Sequence, residues 1–495
     1  MKKYFFVAAI LFPFLADSQG MVDALRYSFT QINGTARAGA MGNAFGALGG
    51  DYTGVGINPA GIGIYRSGEL AFTPSFGQTS IDGTYLNSVA NDSKYNFSLN
   101  NISYVGTIKT GSDEGSGLVS VNIGVGYNRL RDFNQNSLFA GNNAKSSILD
   151  NITENANRNN WSDFYEELAW KTDVLLYDQN AKEYWTDIHD AGYGQSQRKM
   201  IETRGTMDEY NVTLGLNLNH RLYLGAAIGI QDLYFKESTQ FFEEDVNGKI
   251  PYFDDLEFRT LLRTSGTGYN GKLGVIFKPN NSLRLGASIF TPTFFRLHDT
   301  FETAMFTNLT YKDGPGSYDE SSPLLEYDYD METPLRATLS AAYLMGKKGL
   351  VSLDYEIVDY SSAKLRNGGN GETFFYENQD IAEAYRAVGN IRIGGEYRMN
   401  DNISLRAGYQ LYPSAYKPQA FGTDQPNNDA NLSVLSAGLG YKTGGFSFDI
   451  AYRYNTLTEY NLPYPAPESN NYPAPGMAKF DSKQNQIMFT LGFRF

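Results

Sequence analysis

Over most of its length the chain alternates apolar and polar residues one for one, which is the period of a half-buried strand and not of a helix. The last stretch is the clearest: Ile487, Phe489, Leu491, Phe493 and Phe495 fall on one face, and Gln486, Met488, Thr490, Gly492 and Arg494 on the other. The same pattern sets Phe446, Phe448, Ile450, Tyr452 and Tyr454 against Ser447, Asp449, Ala451, Arg453 and Asn455. Ile403, Leu405, Ala407, Tyr409 and Leu411 alternate with Ser404, Arg406, Gly408 and Gln410, and Val351, Leu353, Tyr355 and Ile357 with Ser352, Asp354 and Glu356. Charged residues repeatedly face away from the aromatics. In a soluble sandwich the charged face is solvent; in a membrane barrel it lines the lumen.

The connections decide between these, because short and long links take turns along the chain, as they do in outer-membrane barrels. The short ones, at 111–117, 219–221, 279–281, 346–348, 400–402 and 443–445, carry mostly Asn, Gly or Asp and read as periplasmic turns. The long ones, at 78–97, 131–207, 237–256, 297–333, 361–387, 414–430 and 457–482, read as outer loops. These boundaries give about fourteen strands, an even number within the bacterial range. The predicted fold is all-β: a transmembrane antiparallel β-barrel spanning residues 67–495, with residues 19–66 packed inside its lumen.

Both ends of the chain fit export to the outer membrane of a Gram-negative bacterium. Residues 1–18 combine Lys2 and Lys3, an apolar stretch and the small-residue close Ala16-Asp17-Ser18, the makeup of a secretory signal cleaved after Ser18. No later apolar run reaches the roughly eighteen residues of a spanning helix, so a membrane reading requires a closed barrel. The absence of cysteine excludes disulfides, thiolate metal sites and cysteine catalysis. A formal net charge of −13 argues against nucleic-acid partners.

Residues 34–61 do not alternate. They are rich in Gly and Ala and close on Asn58-Pro59-Ala60-Gly61, with no GxGxxG or P-loop spacing; Gly266, Gly268 and Gly271 match GxGxxG only inside a predicted strand. A signal, a small-residue segment ending in Asn-Pro-Ala-Gly, about fourteen strands and a terminal Phe together resemble the outer-membrane transporters of long-chain fatty acids and aromatic hydrocarbons, the FadL/TodX family. The resemblance covers essentially the whole mature chain. It implies a hatch carrying Asn58, Pro59 and Ala60, a hydrophobic small-molecule ligand, passive uptake without a cofactor, and release through a side opening near a kinked third strand. Partners implied with it are membrane lipid, lipopolysaccharide and the barrel assembly machinery, which reads the end of the last strand at Phe493 and Phe495, with a monomeric protein expected. Gly124 and Gly126 lie on the lumen side of that third strand, where missing side chains permit either a kink or close packing against the hatch.

The 131–207 link holds all three tryptophans. Trp161, Phe164, Leu168 and Leu175, with Trp170 nearby, recur at about three- to four-residue spacing, which predicts an amphipathic helix over the mouth; the resemblance implies that such outer helices form a groove that first captures the ligand, with Trp161, Phe164, Leu168 and Trp170 its candidate residues. Acidic clusters in the outer links match no calcium-loop spacing, so no metal is assigned. Lumen-facing Arg336, Asp354, Glu356, Arg392, Glu396, Arg398, Arg406 and Arg453 are expected to pair with one another. His189, His220 and His298 are the only histidines, and no nucleophile motif accompanies them, so the chain is not read as an enzyme. A haemin receptor using His189 or His298 as axial ligand is the first alternative, although powered haem importers need about 22 strands. A general aqueous porin is the second, and it would lack a hatch.

Overall fold

The structure, a computed structural model, describes residues 20–110, 117–369 and 371–495. The expected signal segment and most of the 111–117 link lie outside the described residues. Fourteen antiparallel strands form a closed barrel. They are β1 (Glu69–Tyr85), β2 (Ser88–Lys109), β3 (Leu118–Asp132, resuming as Gln135–Gly141), β4 (Ser196–Leu218), β5 (Leu222–Glu244) and β6 (Phe253–Phe277). There follow β7 (Leu283–Phe290 and Phe294–Tyr311), β8 (Gly314–Ser321, Leu325–Glu332 and Arg336–Met345), β9 (Gly349–Asp359) and β10 (Ala387–Arg398). The last four are β11 (Ile403–Tyr412), β12 (Leu432–Thr443), β13 (Phe446–Asn461) and β14 (Ala478–Arg494). Pairing of β1 with β14, from Glu69–Arg494 to Thr84–Lys479, closes the ring.

Alternation sorts the side chains as the sequence predicts. Leu353, Tyr355 and Ile357 face outward and exposed, while Ser352, Asp354 and Glu356 between them are buried. Outward apolar side chains meet lipid, and the interior holds the polar groups. The breaks in β7 and β8 fall at Pro292, Pro323 and Pro334, where the chain has no N–H to give to a ladder.

Several strands run far beyond the bilayer. β6 has 25 residues, against the roughly 9–11 that cross a membrane. The expected outer link at 78–97 is therefore mostly strand: β1 and β2 continue to a two-residue turn at Leu86 and Asn87, both with positive φ, as a tight hairpin turn requires. Links at 237–256 and 297–333 shrink in the same way. Above the membrane a strand's outward face needs no apolar residues, so its alternation fades while its hydrogen bonds persist.

A ring sealed by main-chain bonds should resist detergent until heated. Unboiled protein is expected to migrate faster on gels than boiled protein, and identical mobilities would contradict the closed barrel.

Candidate ligand cavity and wall opening

Residues 20–66 lie within the lumen, the part from residue 30 onward low in it and residues 21–28 higher up, beside Glu237 and Tyr385. They form α1 (Met21–Ser28), α2 (Ala36–Ala40) and two 3-10 turns, Tyr52–Gly56 and Pro59–Ile64, each of the last three begun by a polar cap: Thr35, Asp51 and Asn58 accept from Ala38, Thr53 and Ala60 N–H respectively. The wall ties this plug down from all sides. Ala36 N donates to Thr490 (2.7 Å), Gly46 N to Asp354 (3.0 Å), Asn122 Nδ2 to Ile62 O (2.9 Å), and Ser288 Oγ to Ile57 O (2.6 Å). Asn58 Nδ2 donates both to Gly46 O (2.7 Å) and to Val275 O of β6 (3.0 Å), so this side chain fixes its own turn, the neighbouring plug loop and the wall at once. Wall glycines admit the plug: a Cβ at Gly126 would overlap the Tyr52 ring, and one at Gly274 would overlap Asn58.

Above the plug lies a cavity of about 380 Å³, within the range of small-molecule sites. α1 forms one side of it through Leu25, Arg26 and Phe29, and Phe133, Phe235 and Tyr412 come from the wall. Two arginines enter it in different electrostatic states. Arg26 is paired with Asp23 and lies 3.6 Å from Glu237. Arg131 sits between ring faces, 4.9 Å from the centroid of Phe29 and 5.3 Å from that of Phe133, and has no ion-pair or hydrogen-bond partner among the described residues.

The same cavity reaches the barrel wall at Asn96, Ser98, Asp132 and Asn134, where the wall is incomplete. β2 and β3 pair from Lys109–Ser120 up to Asn101–Asn128 and no further. Three irregularities coincide there. Asn100 is an extra residue opposite Pro74 in the β1–β2 ladder, Leu130 is extra in the β3–β4 ladder, and β3 breaks at Phe133-Asn134. Beyond the break, 135–141 turns inward until the Leu138 carbonyl lies against Gly83 of β1 and the Phe139 ring packs at a tilt on Tyr85 (4.7 Å). It stays paired with β4 but leaves β2 with no strand partner on that side.

The fourteen-stranded barrel is matched independently. Residues 207–495 fit the family described as outer membrane protein transport protein (OMPP1/FadL/TodX). The chain belongs to this family. FadL/TodX proteins are outer-membrane channels for hydrophobic compounds and not enzymes, and this chain is an outer-membrane protein. Its fold is similar to that of the Pseudomonas putida toluene transporter TodX (13% identity, TM-score 0.50) and of a Pseudomonas aeruginosa FadL homologue (14%, 0.54). Each alignment covers 94% of this chain and 100% of the other. No curated protein matches the sequence.

Measured against a FadL/TodX site, the residues singled out from sequence separate. Gly124 and Gly126 are regularly paired with β2 and β4, and a Cβ on either would strike Tyr52. They serve close packing, and the kink lies higher, at Leu130 and Phe133-Asn134. The helix expected from Trp161 onward covers only α4 (Glu166–Lys171), which follows α3 (Ile148–Asn157) and precedes the single turn α5 (Asp187–Asp190). Leu168 is buried in the loop core, Phe164 packs on Phe301 (5.6 Å) of the lumen, and Trp161 and Trp170 stay exposed around Tyr184, at 5.5 and 6.0 Å. The four therefore do not line one groove. Most lumen charges pair as expected: Glu356 with Arg336 and Arg392, and Glu396 with Arg406, Arg398 and also the plug's Arg37. Arg453 does not; it is fully buried and donates to Asn33 and Gln486, with no carboxylate within ion-pair range among the described residues. His298 pairs with Asp328 (2.8 Å) on an exposed strand face, and His189 lies beside Tyr193 and Tyr472, so neither lines the cavity. Arg131 and α1 went unnoticed in the sequence, although Asp132-Phe133-Asn134 carries a turn signal.

Beside Glu243, which is fully buried and accepts from Ser147 Oγ (2.5 Å) and Gln197 Nε2 (2.6 Å), two further buried carboxyls hold the outer cap. Asp150 accepts from Ser147 N (2.8 Å) and Tyr193 OH (3.0 Å), and Glu166 from Ser162 N (3.0 Å) and Asn155 Nδ2 (3.1 Å). With no cation beside either, burial pushes both up to about 7. Raised carboxyl values mean that the folded cap binds more protons, so their stabilisation is complete below about pH 4 and is lost as pH rises through about 7. Hydrogen exchange over 148–171, corrected for intrinsic rates, should be faster at about pH 8 than at about pH 5, and D150N, E166Q and E243Q together should flatten the difference, because burial raises Glu243 to about 7 as well. For the plug, Gly126→Val should cost about 1–3 kcal/mol of stability through overpacking and raise single-channel conductance. Unchanged conductance would show that Tyr52 does not need the space.

Proposed function

We propose that the chain takes up hydrophobic molecules bearing a carboxylate, of the long-chain fatty acid type, and releases them sideways into the outer membrane between β2 and β3. One observation carries this reading: a single cavity joins an unpaired arginine on aromatic faces to an interruption of the barrel wall. Arg131 is half-buried, and Glu459 of the same cavity acts on it only at a distance, without an ion pair, so its guanidinium is left to take a ligand carboxylate. Leu25, Phe29 and Phe235 then take the hydrocarbon. A neutral aromatic hydrocarbon, such as the toluene that TodX is named for transporting, would leave Arg131 unpaired.

In this reading Trp161, Trp170 and Tyr177, exposed around Tyr184, make the first apolar contact outside, displacement of α1 admits the ligand, and the plug braced by Asn58, Pro59, Ala60 and Gly61 acts as the hatch that denies it the axial route. Phe493 and Phe495, both exposed on the outer face at the periplasmic end, are the surface that the assembly machinery would read.

Arg131→Ala should weaken oleate binding about 10–100-fold, the cost of losing a charged hydrogen-bond partner, while toluene binding to purified protein stays unchanged. Equal losses for both ligands, or none for oleate, would contradict the carboxylate site.

A further inference from the structure

Where main-chain pairing between β2 and β3 stops, side chains take over. Asp132 accepts from Asn96 Nδ2 and from Ser98 Oγ (2.7 Å), both on β2, and from the N–H (2.9 Å) and Nδ2 (2.7 Å) of Asn134 on its own strand. Higher up, Lys94 Nζ of β2 reaches Glu202 (3.0 Å) and the Thr203 carbonyl (3.4 Å) of β4, across the space that β3 vacates. Asn96, Ser98 and Asp132 also line the cavity. The wall here is thus held by a few polar side chains that face the ligand chamber, in a barrel otherwise sealed by ladders of main-chain bonds.

We propose that Asp132, with Asn96 and Ser98, is the latch of the side opening, a positioning residue that sets how often β2 and β3 part. The proposal rests on the side-exit reading above. Parting at this point breaks the two Asp132 bonds, the Lys94 bonds to β4 above them and the bond from Tyr127 OH to the Leu99 carbonyl (3.2 Å) below, but no strand ladder, and the freed groups can turn to water in the cavity or to lipid headgroups outside. Elsewhere in the ring, opening would strip main-chain N–H and C=O groups in a medium without partners for them. Asp132 is suited to the role because one carboxylate collects donors from both strands; its ionised form strengthens each bond relative to a neutral acceptor.

The chain has no cysteine, so introduced thiols are unique. Thr79→Cys, on a residue that lines the cavity beside the gap, is labelled with a fluorophore in bilayers containing a nitroxide-bearing lipid. Removing the latch with Asp132→Ala should speed quenching about tenfold, the worth of one to two hydrogen bonds, and Asn96→Ala with Ser98→Ala should act in the same direction while keeping Asp132. Separately, Asn96→Cys with Asp132→Cys joined by a short reducible cross-linker should stop oleate uptake, and reduction should restore it. Quenching unchanged in every latch variant, with the cross-link still blocking uptake, overturns the latch and leaves the side exit standing. Cross-linked protein that transports at the uncross-linked rate overturns the side exit itself.

Discussion

Inside a bilayer an unpaired main-chain N–H or C=O finds no water, and each one costs several kcal/mol, so the only stable sheet is one that closes on itself. β1 meeting β14 satisfies that demand and fixes much else. Closure forces apolar residues outward and polar ones inward, creates a lumen that must be filled or left open, and makes any interruption of the ladder expensive. The interruption between β2 and β3 is therefore informative. It is made tolerable by a proline and two bulges that prepare the backbone for it, and by Asp132, Asn96 and Ser98, which occupy the donors and acceptors at its rim.

The lumen solves its filling problem with two kinds of residue. Glycines on the wall let the plug backbone approach closely, and buried charges then fasten it, with Arg37 of α2 joining Arg406 at Glu396 and Asp354 holding Gly46 N–H. Arg453, with no carboxylate, is still held by Asn33 and Gln486, whereas Arg131 has only the ring faces of Phe29 and Phe133. A guanidinium held between two aromatic rings retains part of its stabilisation from their quadrupoles, yet it keeps its hydrogen-bonding capacity for a planar anion. In the proposed reading, the arginines that brace the barrel and plug are held by carboxylates or by amide oxygens, and Arg131 is the one kept for a ligand.

The barrel was legible in the sequence because lipid on one side and a lumen on the other impose a period of two on every membrane-crossing segment, and because Asn, Gly and Asp mark the periplasmic turns. Strand length was not legible. Ser88 to Asn96 alternate only weakly, since above the bilayer their outward face meets water, and the register there is kept by hydrogen bonds that leave no trace in composition. The place of the strand break was left open for a different reason. Gly124 and Gly126 look permissive on their own strand, but the need for glycine is set by Tyr52, far away in sequence. The signals that do mark the kink are Pro74 and Asn100-Asn101 on the adjoining strands and Asp132-Phe133-Asn134 on β3, and they gain meaning only once the three strands are placed side by side. The tryptophan segment shows the same limit: its three-to-four spacing is real, yet only Glu166–Lys171 becomes helix, because Trp161 and Phe164 are drawn to different partners, Tyr184 outside and Phe301 within.

The central claim is that one chamber both holds a carboxylate and opens through the wall. A crystal structure of the protein soaked with oleate tests it most directly. The account predicts elongated density beneath α1 with its head at the Arg131 guanidinium and its tail among Leu25, Phe29 and Phe235, beside the opening at Asp132. Density confined to the outer loops, or running down through the plug toward the periplasmic turns with Arg131 untouched, would contradict it.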